Sequence, residues 1–464
     1  MTSKRTINVF MLAMMNIAAI VNIANLSISA KYGFSGIFYL IAASIFFFIP
    51  VALISAELAT GWPDRGVYIW VKEAMGEKLG FLAIWLQWIE NVIWYPTALS
   101  FLATSIAYIF NPSLAQNKTF ITTTIIVVFW LATFANFSGM TISGWVSTIC
   151  ALFGTILPGA IIITLAAVWL FNKNPSLISF TFKDFLPNMS MSQLALLSGF
   201  LMSLSGLEMN AVHAKEVKNP KKNYPLSMFF SVFLIITILS LGSLAIAIVI
   251  PVQEIELPAG AIEAISSFLS LYKLNAATPL IALFIALGAL GMISTWIIGP
   301  IKGMYATTDY GEIPPFFHKV NKHSAPTNLL LLQAVMVTIL SLIFLYSPTV
   351  SSSYWILFNL TAHLYQVMYI LMFISAIILR YKKPNVERTY KIPYKNVGIW
   401  VIGLFGIFGT LFAMIVGFYP TEHITGLSTI LFEVILIGGT ILFCAIPFII
   451  HHYKNPLWIK KTEK

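Results

Sequence analysis

Residues 199–210 read Gly199-Phe200-Leu201-Met202-Ser203-Leu204-Ser205-Gly206-Leu207-Glu208-Met209-Asn210. They place Glu208 two positions after Gly206 inside an otherwise apolar segment. A carboxylate at the centre of a bilayer costs roughly 2.5–3.5 kcal/mol on insertion scales, and glycine in a helix costs about 1 kcal/mol relative to alanine. An unwound turn is tolerated at membrane depth where its backbone lines a cavity. We therefore predict a broken membrane helix with an ionisable group at a binding site.

Another interpretation of this neighbourhood stays open. Gly206 could allow close helix packing in an unbroken helix, with Glu208 paired to a neighbouring helix. The polar stretch that follows, from Asn210 to Pro220, carries His213, Lys215, Glu216 and Lys218. We interpret that stretch as a solvated network at the inner mouth of the predicted cavity.

The composition predicts an all-α polytopic membrane protein. Hydrophobic residues make up 58% of the 464 residues and charged residues 9%, whereas a soluble domain carries about 25% charged residues. A soluble fold of this composition would lack the polar groups that its surface needs. The two cysteines, Cys150 and Cys444, lie in apolar runs and are predicted to be small buried side chains without a disulfide.

About twelve apolar runs are long enough to cross the roughly 30 Å hydrocarbon core. We number the predicted spans 1 to 12 in chain order: 6–29, 34–60, 79–110, 119–138, 142–171, 191–213, 225–250, 277–306, 327–347, 351–380, 397–419 and 428–450. A tight turn near 137–140 separates spans 4 and 5. Two shorter segments, 66–76 and 261–271, are predicted to lie at the membrane interface.

The charge distribution predicts the orientation of the chain. With the N-terminus inside, five of the 27 Lys and Arg residues lie on outer segments, which leaves 22 on inner segments. The outer five are Lys31, Lys118, Lys173, Lys183 and Lys273. This asymmetry satisfies the positive-inside rule and places both termini in the cytoplasm. The formal charge of +10 is thus a topology signal with a contribution from anionic lipid, and it does not indicate nucleic-acid binding.

Span 1 is predicted to contain a second break. Asn16, Asn22 and Asn25 interrupt an apolar run, and the last two share a helical face. Asparagine competes for backbone hydrogen bonds and weakens a helix where it sits. The alternative is that these asparagines form interhelical hydrogen bonds that hold the bundle together.

Three further spans carry candidate cavity residues. On span 3, Gln87, Asn91 and Trp94 recur at helical spacing, with Glu90 partly on the same face. Facing lipid, such a polar stripe would be costly, so we predict that it faces a cavity. On span 8, Trp296 is a candidate aromatic gate or a packing residue in a glycine-lined groove. On span 10, Tyr365 could reach the site, whereas His363 is predicted to be satisfied within its own helix.

The sequence carries no phosphate-binding loop, no nucleophile elbow and no metal-ligand spacing. We therefore predict neither an enzyme nor a cofactor nor a metal site. The pair His451-His452 is predicted to lie at the membrane interface rather than to bind a metal.

Several segments resemble those of the amino acid–polyamine–organocation superfamily, and within it the likeness is greatest to the glutamate/γ-aminobutyrate antiporter branch. Besides 203–208 and 213–220, they are Gly33-Phe34-Ser35, Phe47-Phe48-Ile49-Pro50-Val51-Ala52-Leu53, Ala56-Glu57-Leu58-Ala59-Thr60, Gly66-Val67-Tyr68-Ile69-Trp70-Val71, Trp296-Ile297-Ile298-Gly299-Pro300, Gly303-Met304-Tyr305 and Arg388-Thr389-Tyr390-Lys391-Ile392-Pro393. The resemblance covers nearly the whole chain. These motifs identify the family and not the substrate.

The resemblance implies a LeuT-type fold with broken helices 1 and 6. Residues 6–171 and 191–380 would form two inverted repeats, and 397–450 two additional helices. It implies transport of amino acids across the cytoplasmic (inner) membrane by alternating access, as an antiporter or a proton-coupled symporter. The substrate carboxylate would meet amides of helix 1, and its amino group carbonyls of helix 6. The chain would act as a monomer or a homodimer in contact with lipid.

The predicted site combines this resemblance with the polar positions above. Glu208 is the predicted proton-coupling residue. The predicted substrate-binding residues are Asn22, Ile23, Ala24, Asn25, Asn91, Trp94, Ser203, Ser205, Gly206, Trp296 and Tyr365.

Two departures from the family pattern bear on the substrate. Span 1 lacks the superfamily's usual glycine pair, and Met292 stands where the antiporter branch would place an acid. Both argue against glutamate/γ-aminobutyrate exchange. The alternatives are an amine or polyamine carrier of the same fold, which an added buried acid in the cavity would favour, a non-transporting nutrient sensor, and a membrane enzyme.

Overall fold

A computed structural model describes residues 7–63, 66–137, 152–187, 189–209, 217–421 and 428–459. Within these ranges the chain is helical, and the extended pairing there is a single bridge between Ile7 and Val217. The first half of the chain contains α1 Val9–Ile20, α2 Ile23–Ala30, α3 Gly33–Gly61, α4 Gly66–Met75, α5 Glu77–Phe110, α6 Lys118–Phe137, α7 Leu152–Phe171, α8 Phe182–Phe185, α9 Met191–Ala195 and α10 Leu197–Ser203.

The second half continues the helical pattern. It contains α11 Pro220–Val249, α12 Gly260–Leu271, α13 Thr278–Tyr305, α14 Thr327–Ser341, α15 Ile343–Tyr346, α16 Val350–Lys382, α17 Lys395–Gly417 and α18 Thr429–His452. In the described ranges, ten helical runs are long and apolar enough to cross a membrane. The prediction of an integral, all-helical membrane protein is therefore confirmed.

The two predicted spans missing from those ten are spans 1 and 6, and each is divided. Span 1 consists of α1 and α2, separated at Val21 and Asn22. Span 6 consists of α9 and α10, which end at Ser203, followed by an irregular turn and a 3₁₀ turn at 207–209. The turn predicted at 137–140 lies outside the described residues, apart from Phe137.

Asparagine causes the break in span 1 without any glycine. Asn22 has an extended backbone, and its side-chain oxygen accepts a 3.0 Å hydrogen bond from the amide of Ala24. This is an N-cap interaction, which satisfies an amide that has no partner in the first turn of a helix. Asn16 instead donates to the Ser231 hydroxyl of α11 at 3.0 Å, as the interhelical alternative predicts. Both interpretations of the asparagines therefore hold, each at its own residue.

The centre of the bundle is α5, which is buried along most of its 34 residues. It packs most extensively against α13 and α16. The short helices α4 and α12 match the two predicted interfacial segments. This arrangement places the polar stripe of α5 inside the protein, where helices with candidate site residues surround it.

A buried ionic cluster joins α3 to the end of α16. The Glu57 carboxylate pairs with Arg380 and lies 3.6 Å from Arg388, and each of these side chains is at most 8% exposed. The amide of Ile392 donates to Glu57 at 2.8 Å. Arg388 also donates to the carbonyl of Leu379 at 2.9 Å in the last turn of α16. The cluster therefore fixes the end of α16 against α3.

Replacing Glu57 with glutamine should lower the free energy of unfolding by about 3 kcal/mol, because two buried guanidinium groups would lose their counter-ion. Thermal or urea unfolding of the purified protein in detergent measures the loss. Glu73→Gln is the matched control, since Glu73 pairs with Lys383 in a partly exposed bridge that contributes about 0–1 kcal/mol. Equal losses in the two variants would contradict this role for the cluster.

Lys31 follows α2 and is a buried cation. Its side chain is 4% exposed, and no described residue hydrogen-bonds or ion-pairs with its ammonium group. Burial lowers the pKa of Lys31 to about 8, an effect that the nearby Glu256 partly offsets. The folded state is therefore less stable with this charged lysine than it would be with an apolar side chain of similar length.

Lys31→Met should raise the free energy of unfolding at pH 7 by an amount on the order of 1–3 kcal/mol. The destabilisation by Lys31 is fully present below pH 8, and it fades as the pH rises towards 10.5, where the unfolded lysine also loses its proton. The gain measured by thermal unfolding should therefore shrink between pH 7 and pH 10. The exposed Lys273 supplies the control Lys273→Met. A gain independent of pH would contradict the assignment.

Candidate functional site

A small cavity lies where the breaks in spans 1 and 6 meet α5, α13 and α16. Its volume is about 40 Å³, which holds a few water molecules at roughly 10–15 Å³ each. A larger solute would require the surrounding side chains to move. The cavity is lined by Ala19, Ile20, Asn22, Asn25, Glu90, Asn91, Trp94, Met202, Ser205, Met292, Trp296, Phe358 and Tyr365.

The break in span 1 places the end of α1 and the start of α2 beside the cavity. The last residues of α1 and the capping residue of α2 both contribute to the wall. The amide of Asn25 bonds the Asn22 carbonyl at 3.0 Å, so the first turn of α2 is held tightly. Amides of a helix start carry partial positive charge and carbonyls of a helix end carry partial negative charge. The end of α1 and the start of α2, which carry these opposite partial charges, therefore both adjoin the cavity.

The break in span 6 is organised by Gly206 and a tyrosine. Gly206 has a φ of +115°, a conformation that side chains other than hydrogen adopt only under strain. Its amide donates a 2.9 Å hydrogen bond to the hydroxyl of Tyr369 on α16. A tertiary contact thus replaces the helical hydrogen bond lost at this turn, as the interior of a membrane requires.

The Glu208 carboxylate is anchored to α16 by both of its oxygens. Tyr365 donates to Oε1, and Tyr369 donates to Oε2 at 2.6 Å. Glu208 is 3% exposed, and no cation among the described residues pairs with it. The same two tyrosines therefore connect the broken helix to α16 through a backbone amide and a carboxylate.

A second carboxylate, that of Glu90, lines the cavity directly. Glu90 is 1% exposed, and its Oε1 accepts a hydrogen bond from Asn91. Asn91 also donates to the carbonyl of Gln87 at 2.9 Å, while Gln87 reaches the sulfur of Met209 beyond the span 6 break at 3.0 Å. Glu90, Asn91 and Trp94 of the polar stripe thus line the cavity, and Gln87 contacts the span 6 break.

Two tryptophans close another side of the cavity. The rings of Trp94 and Trp296 lie 6.0 Å apart between centroids. Tyr95 donates to the carbonyl of Trp296 at 2.9 Å. A Cβ atom on Gly206 would lie 3.5 Å from the Trp296 ring and 3.7 Å from Ile20. Both distances are ordinary van der Waals contacts, so glycine is favoured at this position by its positive φ and not by lack of space.

The structure brings most of the predicted site residues together. Seven line the cavity, namely Asn22, Asn25, Asn91, Trp94, Ser205, Trp296 and Tyr365. The other five predicted residues, Ile23, Ala24, Ser203, Gly206 and Glu208, lie at or beside the breaks but not on the cavity wall. The Ser203 and Ser205 hydroxyls both bond carbonyls four residues earlier, at 2.9 and 2.8 Å, and only Ser205 lines the cavity.

Sequence reasoning did not assign Glu90 or Tyr369 to the site. Glu90 belongs to the polar stripe of span 3 that the sequence predicts to face a cavity, but it is not among the predicted substrate-binding residues. Tyr369 lies one helical turn after Tyr365, and that spacing places both on one face. Met202, Met292 and Phe358 also line the cavity and carry no distinctive sequence signal. Met292 is the position at which an acid was expected.

Other predicted features have separate outcomes. The Nδ1 and Nε2 atoms of His363 lie 2.7 and 3.1 Å from the carbonyl oxygens of Asn359 in its own helix and Met414 of α17, so a neutral ring donates to one of them. His451 contacts the Glu312 carboxylate at 3.2 Å, and in the described residues no group of three or more His, Cys, Asp and Glu could hold a metal. The network predicted around His213 to Glu216 and the burial of Cys150 fall outside the described residues.

The chain matches the family model described as amino acid permease over residues 5–441. It belongs to the amino acid permease family. The resemblance to the amino acid–polyamine–organocation superfamily is thereby confirmed, and membership identifies a membrane transporter family with small-molecule substrates.

Three relatives show the range of the family around this permease. An uncharacterized transporter of Legionella pneumophila subsp. pneumophila is 45% identical over 96% of this chain and 97% of its own length. A glutamate/gamma-aminobutyrate antiporter of Lactococcus lactis subsp. lactis is 32% identical over 89% of this chain and 84% of its own length. A probable polyamine transporter of Arabidopsis thaliana is 29% identical over 75% of this chain and 66% of its own length.

Gly206→Ala should destabilise the protein by about 1–3 kcal/mol, because alanine is strained at a φ of +115°. The strain should also disturb the contact with Trp296 and slow transport. Gly438→Ala is the control, since Gly438 is helical and a Cβ there meets no atom within 4 Å. Thermal unfolding in detergent compares the two variants. Equal stability of both would show that the break does not depend on glycine.

Proposed function

We propose that this permease carries out secondary active transport of amino acids across the cytoplasmic membrane by alternating access, as an antiporter or a proton-coupled symporter. The observation that carries the proposal is the cavity between the two helix breaks, where the ends of the broken helices and polar side chains meet inside an apolar bundle. Unpaired polar backbone groups inside a membrane protein cost free energy unless they line a cavity for a polar solute.

The proposed binding mode follows from the polarity of the two breaks. The substrate carboxylate would face the amides at the start of α2, with Asn22 and Asn25 beside them. The amino group would face carbonyls released near Ser205 at the end of α10. Trp94, Trp296 and Tyr365 would enclose the substrate. The cavity as described is too small to hold an amino acid, so rotation of the tryptophans would accompany binding.

Glu208 is the proposed proton-coupling residue. Its carboxylate holds Tyr365 and Tyr369 of α16, and the Tyr369 hydroxyl in turn receives the amide of Gly206. A proton on Glu208 would weaken acceptance from both hydroxyls, because a carboxylate is a stronger hydrogen-bond acceptor than a carboxylic acid. Protonation would therefore loosen span 6 from α16. This supplies a physical link between a proton and the movement of the broken helix.

The proposal includes the wider architecture expected from the resemblance. Residues 6–171 and 191–380 would form the two inverted repeats of a LeuT-type fold, and 397–450 two additional helices, which makes twelve spans with the two broken ones. The positive-inside asymmetry supports cytoplasmic termini. The protein would function as a monomer or a homodimer and would use no cofactor.

Proteoliposomes containing the purified protein test this function with a panel of radiolabelled amino acids under imposed pH gradients. We expect uptake that depends on an amino acid gradient or a pH gradient. Ligand binding without flux would instead support a sensor, and chemical conversion of the solute would support an enzyme.

Glu208→Gln should reduce uptake and flatten its dependence on pH, since glutamine cannot exchange a proton. The control is Glu433→Gln, a substitution of a half-buried acid on α18 that does not line the cavity. Uptake and pH dependence that both match wild type in Glu208→Gln would refute the proton role while leaving amino acid transport intact.

A further inference from the structure

The cavity wall contains an ionisable group that the proposed transport cycle does not use. Glu90 lines the cavity and is 1% exposed. Its described hydrogen bond comes from Asn91, and no lysine, arginine or histidine of the described residues pairs with it. An ionised carboxylate buried without a cation or several donors is strongly destabilising. The position therefore favours a cationic partner that arrives from the cavity.

Glu90 and Glu208 differ in how much of their bonding capacity the protein uses. Glu208 engages a tyrosine hydroxyl with each oxygen and does not line the cavity. Glu90 engages the neighbouring amide and faces the open space. Both oxygens of Glu208 are thus used in contacts that hold the broken helix, whereas Glu90 retains lone pairs that can accept hydrogen bonds from a ligand.

The rest of the wall also suits a positive charge. None of the lining residues is a lysine, arginine or histidine. The Trp94, Trp296, Tyr365 and Phe358 rings contribute their surfaces, and aromatic faces attract ammonium and guanidinium groups. A solute with a second carboxylate would instead bring a negative charge towards Glu90 with no basic side chain on the wall to offset it.

We propose that Glu90 recognises an ammonium or guanidinium group at the distal end of the solute, so that the substrate is a cationic amino acid or a diamine. Cationic amino acids and diamines both carry such a cationic group. The inference rests on the proposed function, since it assumes that the cavity is the transport site. It makes Glu90 a specificity-determining residue, distinct from the proton-coupling role of Glu208.

Uptake competition in proteoliposomes of the full-length wild-type protein tests the substrate class. Lysine and arginine represent the cationic amino acids, putrescine the diamines, leucine the neutral amino acids and glutamate the acidic ones. We expect lysine, arginine or putrescine to be carried in preference to leucine and glutamate. Uptake of lysine without putrescine identifies a requirement for the α-carboxylate, and the reverse result identifies an amine carrier.

Glu90→Gln tests the residue itself. The ratio of cationic to neutral solute uptake should fall by at least about tenfold, as expected when one partner of a buried charge pair is lost. Glu90→Asp, which keeps the charge, should retain a larger share of that ratio. Glu433→Gln, an acid away from the cavity, should leave the ratio at its wild-type value.

Preference of the wild type for glutamate or leucine would overturn the proposal about Glu90 while leaving amino acid transport in place. An unchanged selectivity ratio in Glu90→Gln would overturn it as well. Absence of flux for every solute would instead refute the proposed function. If Glu90→Gln does not fold, the wild-type panel together with Glu90→Asp still decides the question.

Discussion

Every polar group inside a bilayer must find its partner within the protein, and this constraint shapes both helix breaks. In span 1 the partner is local, because the Asn22 side chain caps the amide of Ala24. In span 6 the partner is distant in sequence, because the Gly206 amide bonds Tyr369 on α16. A break stabilised locally is independent of its surroundings, whereas one stabilised by another helix responds to any movement of that helix.

The helix α16 therefore links features that lie far apart. Near its middle, Tyr365 and Tyr369 hold Glu208 and the span 6 break. At its end, Arg380 is held by Glu57 of α3, and Arg388 bonds the carbonyl of Leu379. A change at the site can shift α16 only against this buried cluster. The cluster thus provides a fixed point against which movement at the cavity can occur.

The two buried glutamates of the site carry the same carboxyl group but have different hydrogen-bond partners. Both are glutamates in apolar spans without a described cation. Glu208 is bonded by two hydroxyls from another helix, so its carboxyl group connects the span 6 break to α16. Glu90 is bonded by its sequence neighbour and faces the open cavity. This difference depends on local backbone and packing, because Glu90 lies within the long helix α5 and Glu208 lies in the 3₁₀ turn at 207–209.

The membrane class, most spans, the bounds of the two short helices and both breaks follow from the sequence, because apolar length and polar interruptions are local properties of the chain. Asn22, Asn25, Asn91, Trp94 and Trp296 were placed near the cavity for the same reason. Tertiary structure alone decided that Tyr369 completes the Gly206 turn, that Ser203 does not line the cavity, and that Met202 and Phe358 do. Those outcomes depend on the rotation and distance of neighbouring helices, which side-chain spacing along one helix does not specify.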